Sequence, residues 1–196
     1  MRQIINGGTI PDIPDRIEVD RKRSYKGSTG ILLLTLVLLL SRTTADAAGH
    51  QRQLDFYHTH TKESLAIVYH DGNDYIAAAL EQINHFLSDF RTGAVHAIDP
   101  ATLDILFKLQ TELGGEETFE IISAYRSPET NTMLRKQGRG VARRSQHLEG
   151  KAIDVRLRGV DSARLRDAAI KLQLGGVGYY RESDFVHVDS GRIRTW

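Results

Sequence analysis

Three residues in the second half of the chain have the types and spacing to hold a metal ion. His147 and Asp154 stand seven positions apart in Ser145-Gln146-His147-Leu148-Glu149-Gly150-Lys151-Ala152-Ile153-Asp154, with Gly150 at an expected turn between them. His187 lies in Phe185-Val186-His187-Val188-Asp189, which reads as a strand. Side chains alternate along a strand, so His187 shares a face with Phe185 and Asp189. Two imidazoles and one carboxylate can hold Zn²⁺ and leave one position open for water, as hydrolytic zinc sites require. The ion would bring the pKa of that water toward neutrality and polarise a carbonyl. Spacing alone leaves a second reading open, in which His147 is a loop histidine and His187 a strand histidine satisfied by its neighbours. Cysteine is absent, which excludes disulfides, thiolate zinc sites, iron–sulfur clusters and a cysteine nucleophile. Any metal must be held by His, Asp or Glu.

The elements that must position these residues follow from periodicity and turn chemistry. Gln53–Tyr57 and Leu65–His70 read as short strands, the second alternating Leu65, Ile67 and Tyr69. Asp71-Gly72-Asn73 marks a turn. Ile76, Leu80, Ile83 and Leu87 follow helical spacing and predict an amphipathic helix over Asn73–Phe90. Asp99-Pro100 caps a helix whose apolar face is Leu103, Leu106, Phe107 and Leu113, interrupted by Gln110 and ended by Gly114-Gly115. Phe119–Ser123 is an expected strand, and Ser127-Pro128 opens a short helix to about Gln137. Ala152–Leu157 is a strand, Leu165, Ala168, Ala169 and Leu172 mark a helix stopped at Gly175-Gly176, and strands follow at Val177–Tyr180 and Phe185–Asp189. The mixture predicts an α+β fold with an antiparallel sheet flanked by helices.

The 196 residues carry 26 Lys+Arg against 25 Asp+Glu, with 40% hydrophobic and 26% charged residues, a globular balance. Near-neutral charge gives nucleic acid no electrostatic footprint. The first 47 residues read separately from the fold: Arg21-Lys22-Arg23 and Lys26 precede the apolar run Ile31–Leu40, and Ala45-Asp46-Ala47 follows. Basic region, short apolar core and small-residue cleavage site are the order of a secretory signal. The apolar run is too short to span a bilayer, which needs about 20 residues. Residues 1–47 are thus expected to be an N-terminal extension and signal peptide, and 48–196 the folded domain, without a stable membrane span after signal cleavage; an uncleaved signal anchor is the alternative reading.

The pattern Ser145-x-His147-x-x-Gly150-x-Ala152-x-Asp154 followed by a late strand with His187 resembles the zinc peptidases that include D-Ala-D-Ala carboxypeptidases and dipeptidases, whose fold the hedgehog signalling domain shares. Three further segments, Ser123-Ala124-Tyr125-Arg126-Ser127-Pro128-Glu129-Thr130-Asn131, Gly175–Tyr180 and Phe185–Arg192 through Trp196, resemble the murein endopeptidase K family of Gram-negative bacteria. The resemblance runs from about Leu54 to Trp196. It implies a zinc-dependent endopeptidase in the periplasm, acting on the peptide cross-links of peptidoglycan, with its stem peptides as partners. It places His147, Asp154 and His187 on the metal ligands. Arg126 falls on the arginine of the Ser-x-Tyr-Arg-Ser motif, to stabilise an oxyanion or hold a substrate carboxylate, and its planar donors suit either role. A D,D-carboxypeptidase trimming terminal D-Ala, or a non-catalytic peptidoglycan-binding module, are the alternatives on the same scaffold.

The proton acceptor departs from the related enzymes' pattern. They place a glutamate three residues before the last histidine ligand, and here that position is Asp184, whose shorter side chain demands a closer approach. Glu182 and Asp189 are rivals, and reach decides among them. His58-Thr59-His60 has both imidazoles on one face of an expected strand, as a polar edge or a second metal group. Ser145 lacks a nucleophile elbow and reads as a cap. Arg135, Lys136, Arg139, Arg143, Arg144 and Lys151 form a basic rim that would attract substrate carboxylates. Tyr125, Tyr179 and Tyr180 are groove candidates.

Overall fold

The structure, a computed structural model, describes residues 49–115, 117–138 and 141–196. The expected signal segment lies outside these residues. Seven strands, β1 (Arg52–His58), β2 (Ser64–His70), β3 (Phe119–Ser123), β4 (Ala152–Leu157), β5 (Gly176–Tyr180), β6 (Phe185–Asp189) and β7 (Arg194–Thr195), form one sheet in the order β2-β1-β3-β4-β6-β5-β7. Among the described residues four α-helices accompany it: α1 (Ala77–Phe86), α2 (Pro100–Leu113), α3 (Pro128–Lys136) and α4 (Ser162–Leu172). The α+β class is as expected, but the sheet is mixed rather than antiparallel. β1 pairs in parallel with β3, and β5 with β7. The reason is connectivity. The chain between β1 and β3 passes through β2, α1 and α2, long enough for a parallel return. After β6 the chain turns through residues 190–193 and lays β7 along the free edge of β5.

Caps set the helix boundaries. Asp99, Ser127 and Asp161 each accept a backbone N–H of the first turn of α2, α3 and α4. Helix α1 is shorter than its apolar periodicity suggests. At its start, Asp71 Oδ1 accepts from the N–H groups of Asn73 and Asp74, and Ile76 donates to Tyr69 O, so 73–76 fold back on β2. Gln110, which breaks the apolar face of α2, is buried, and its Nε2 donates to Gly115 O at the helix end. Helix α4 ends on Gln173 in the left-handed region (φ 54°), before the glycine pair expected to stop it.

Leu103, Leu106 and Leu109 of α2 and Leu165 of α4 are fully buried with Ile153, Val155, Val186 and Val188 of the central strands. Each such side chain contributes roughly 1.5–3 kcal/mol by leaving water. Alternation then turns His187 and Asp189 of β6 away from Val186 and Val188. The helix-packed face anchors the strands while the other face carries the polar residues.

Candidate metal centre

Asp154 and His187 come together because β4 and β6 are antiparallel neighbours in which these two residues stand directly opposite. His147 arrives from a single 3₁₀ turn, Gln146–Glu149, capped by Ser145, whose Oγ accepts from His147 N at 3.4 Å. Gly150 closes that turn at φ 65°, and a Cβ there would run into Ala97 O, so the chain can re-enter β4 at this point only with glycine. Ser145 is therefore a cap, as its context suggests.

The three side chains converge. His147 Nε2 lies 3.2 Å from Asp154 Oδ1 and 3.1 Å from His187 Nδ1, and His187 Nδ1 lies 2.8 Å from Asp154 Oδ1. All three residues are buried, and among the described residues they form the group able to offer three ligand atoms within 4.8 Å of one another. The remaining ring nitrogens fix the tautomers. His147 Nδ1 donates to Ala124 O at 2.6 Å, so Nε2 presents a lone pair inward. His187 Nε2 donates to Asp189 Oδ2 at 2.9 Å, so its inward atom is Nδ1. Outer partners of this kind set ring orientation and raise ligand basicity. The donor set, two neutral imidazoles and a carboxylate with their outer atoms engaged, fits a divalent ion such as zinc.

The electrostatics differ between the two histidines. Burial pushes the His147 pKa down and keeps the imidazole neutral. Burial acts the same way on His187, but the flanking carboxylates of Asp154 and Asp189 outweigh it and raise its pKa. Burial alone would raise the Asp154 pKa, yet the two histidines hold it well below the usual carboxylate range.

Arg126 precedes the Ser127 cap of α3, and its guanidinium lies at Asp154: Nη2 donates to Asp154 Oδ2 at 3.1 Å and Nε to Ser123 Oγ. It thus ties the outer oxygen of the ligand carboxylate while lining the cleft above it. Asp189 is fully buried and accepts from Arg194 through both oxygens, from Gly176 N and Gly191 N, and from His187. Glycines on β5 make room for this: a Cβ on Gly176 would overlap the Asp189–Arg194 pair, and one on Gly178 would sit 2.6 Å from the Trp196 ring. These are residues whose role the sequence reading missed. Gly176-x-Gly178 is a period-two pattern that strips one strand face, a signal for close approach rather than helix termination alone.

The cleft above the three residues holds about 420 Å³. Tyr180, Phe185 and Trp196 make one wall, with Tyr180 and Phe185 stacked at 4.5 Å and Trp196 Nε1 donating to Tyr180 Oη. Arg144, Ser145 and Gln146 also line it. Of the three carboxylates weighed as proton acceptors, none is brought to the ligand cluster with a free oxygen. Asp189 is engaged as described. Glu182 and Asp184 are exposed in the turn before β6. Asp184 Oδ1 accepts from Ser162 Oγ at 2.6 Å and Oδ2 lies 3.3 Å from Arg156 Nε.

The other candidates settle elsewhere. His58 Nδ1 accepts from the N–H groups of His60 and Thr61, and the two rings pack with Phe90, so they make an aromatic edge cluster and no metal group. Tyr125 stacks on His96, and Tyr179 lies under Arg166. From the basic rim, Lys151 pairs with Glu149 and Arg144 reaches the cleft; Arg139 lies outside the described residues. No helix of the described residues is long and apolar enough to cross a membrane.

Comparison with known proteins agrees with this geometry. Residues 46–196 match the family model Peptidase_M15_2, described as peptidoglycan L,D-endopeptidase MepK. The peptidoglycan L,D-endopeptidase MepK of Escherichia coli (strain K12) is 37% identical over 182 residues, covering 93% of this chain and 100% of that protein. The protein of the same name from Shigella flexneri gives the same values. A relative from Haemophilus influenzae is 38% identical over 176 residues, covering 89% of this chain and 95% of that protein. No solved structure matches. With the family model spanning the whole described fold and its metal-competent cleft, the chain belongs to the peptidoglycan L,D-endopeptidase MepK family of peptidases.

Proposed function

We infer that the chain is a zinc-dependent murein endopeptidase that hydrolyses peptide cross-links of peptidoglycan in the periplasm. The observation that carries this reading is the convergence of His147 Nε2, Asp154 Oδ1 and His187 Nδ1 at the base of an open cleft. These three atoms would hold the ion. When bound, zinc would polarise a substrate carbonyl and bring the pKa of water toward neutrality. Arg126 keeps the Asp154 carboxylate oriented and has further N–H groups for charge that develops on the carbonyl oxygen. Tyr180, Phe185 and Trp196 shield one side of the cleft from solvent.

The proton acceptor is assigned to Asp184. Asp189 is buried against five donors, whereas Asp184 is exposed and held by Ser162 and Arg156 through contacts that water can replace. On this reading Asp184 takes a proton from the attacking water and returns it to the leaving amine. The periplasmic location rests on residues 1–47 and on where peptidoglycan lies.

The relatives' name specifies an L,D bond. An amide between two diaminopimelates joins an L-centre carbonyl to a D-centre amine, whereas one between D-Ala and diaminopimelate joins two D-centres. We assign the first bond to this chain. Two purified muropeptide dimers, one of each linkage, separate the possibilities by mass spectrometry. The diaminopimelate–diaminopimelate dimer should fall to monomers and the other persist; the reverse pattern would overturn the bond assignment.

A further inference from the structure

Three guanidiniums line the cleft, and they are not equivalent. Arg126 is bound to Asp154 and Ser123, and Arg194 to Asp189 and Arg192 O. Arg144 is exposed and meets no carboxylate among the described residues. Two residues along the same segment, Gln146 also lines the cleft, and its Oε1 is buried with no hydrogen-bond partner. A buried acceptor left unmet is destabilising, and a ligand N–H would relieve it. Along this segment, next to His147, the cleft wall therefore offers, among the described residues, a cation that meets no carboxylate and an unmet acceptor.

We propose that Arg144 and Gln146 form a subsite for the residue on the amine side of the scissile bond, Arg144 binding its α-carboxylate and Gln146 Oε1 the N–H on the same carbon. The inference rests on the endopeptidase reading above. In a cross-link whose acceptor is diaminopimelate, the nitrogen to be released sits on a carbon that also bears a carboxylate, so one N–H and one anion lie two bonds apart beside the reacting carbonyl. Carboxylates on the carbonyl side are farther away, at the end of a side chain or on the preceding residue. A planar guanidinium suits the nearer carboxylate through paired hydrogen bonds. Arg126 is thereby relieved of one of its two expected roles, and it keeps the oxyanion.

The test compares two diaminopimelate–diaminopimelate-linked muropeptide dimers that differ only in whether the amine-side α-carboxyl is free or converted to the carboxamide. Wild-type full-length protein with zinc should cleave the free acid with a kcat/KM about 10–100-fold higher, the range of one charge-assisted contact. Arg144→Gln should collapse that preference by lowering the rate on the free acid, mainly through KM, and Arg144→Lys should restore part of it. Bound zinc, measured on each variant, reports whether the ligand cluster is intact. Equal wild-type rates on both dimers, or an undiminished preference in a zinc-loaded Arg144→Gln, would overturn the subsite. Cleavage of neither dimer by zinc-loaded wild type would instead remove the endopeptidase reading, and the subsite with it.

Discussion

At the scale of single residues, the site is organised by what the ligands do with their outer atoms. His187 turns Nδ1 inward because Nε2 is bonded to Asp189, itself gripped by both Nη atoms of Arg194. Asp189→Asn should therefore weaken zinc binding by about 10–100-fold while leaving the three ligands in place, measured by competition with a chelating indicator. Asp184→Asn should do the opposite: zinc affinity stays, and kcat falls by about 10²–10⁴-fold if this carboxylate moves the proton. A full-rate Asp184→Asn would send that role to another group. The convergence of His147, Asp154 and His187 was legible through the resemblance, because spacing alone left a loop histidine and a satisfied strand histidine equally open. The proton acceptor was not, because position along the chain does not report which carboxylate reaches the cluster, and Asp184 is held instead by Ser162 and Arg156.

At the scale of elements, Asp89 links the turn after α1 to the segment that carries Arg126. It is buried, and its Oδ2 accepts from both Ser127 N and Ser127 Oγ, the cap of α3. Burial alone would raise its pKa, but the Thr130 hydroxyl and the groups of Ser127 and Arg91 outweigh that and lower it. A lowered carboxylate pKa stabilises the fold fully above the usual range near pH 4, and that contribution is lost as pH falls through the folded value. Asp89→Asn should thus cost about 1–3 kcal/mol at pH 7 in urea unfolding, with the gap to wild type closing as pH falls below the usual carboxylate range. On β5, Gly178→Ala should displace Trp196 and destabilise by about 1–3 kcal/mol, seen in the tryptophan fluorescence and the unfolding midpoint. The caps Asp99 and Ser127 were legible because they act within one turn. Asp89 was not, since its partner lies 38 residues away. β7 was missed because two residues carry no periodicity.

At the scale of the molecule, the proposed ligands come from three separate segments, a 3₁₀ turn, β4 and β6, so ion binding would be coupled to folding. Free zinc at about 100 times its Kd should add about 2.7 kcal/mol and raise the melting temperature by roughly 5–10 °C. His187→Ala should abolish the shift. The α+β class was legible from the order of strands and helices. The parallel pairings were not, because register across a sheet depends on which strands the long connections bring together. The central claim is that these three segments make a zinc-dependent cutter of cross-links. Its most direct test is digestion of purified diaminopimelate–diaminopimelate-linked muropeptide dimers by the full-length protein, with zinc, with chelator and with His187→Ala. The account predicts conversion of dimers to monomers with zinc alone, and none in the other two. Undiminished conversion in chelator or by His187→Ala, or intact dimers with zinc bound, would contradict it.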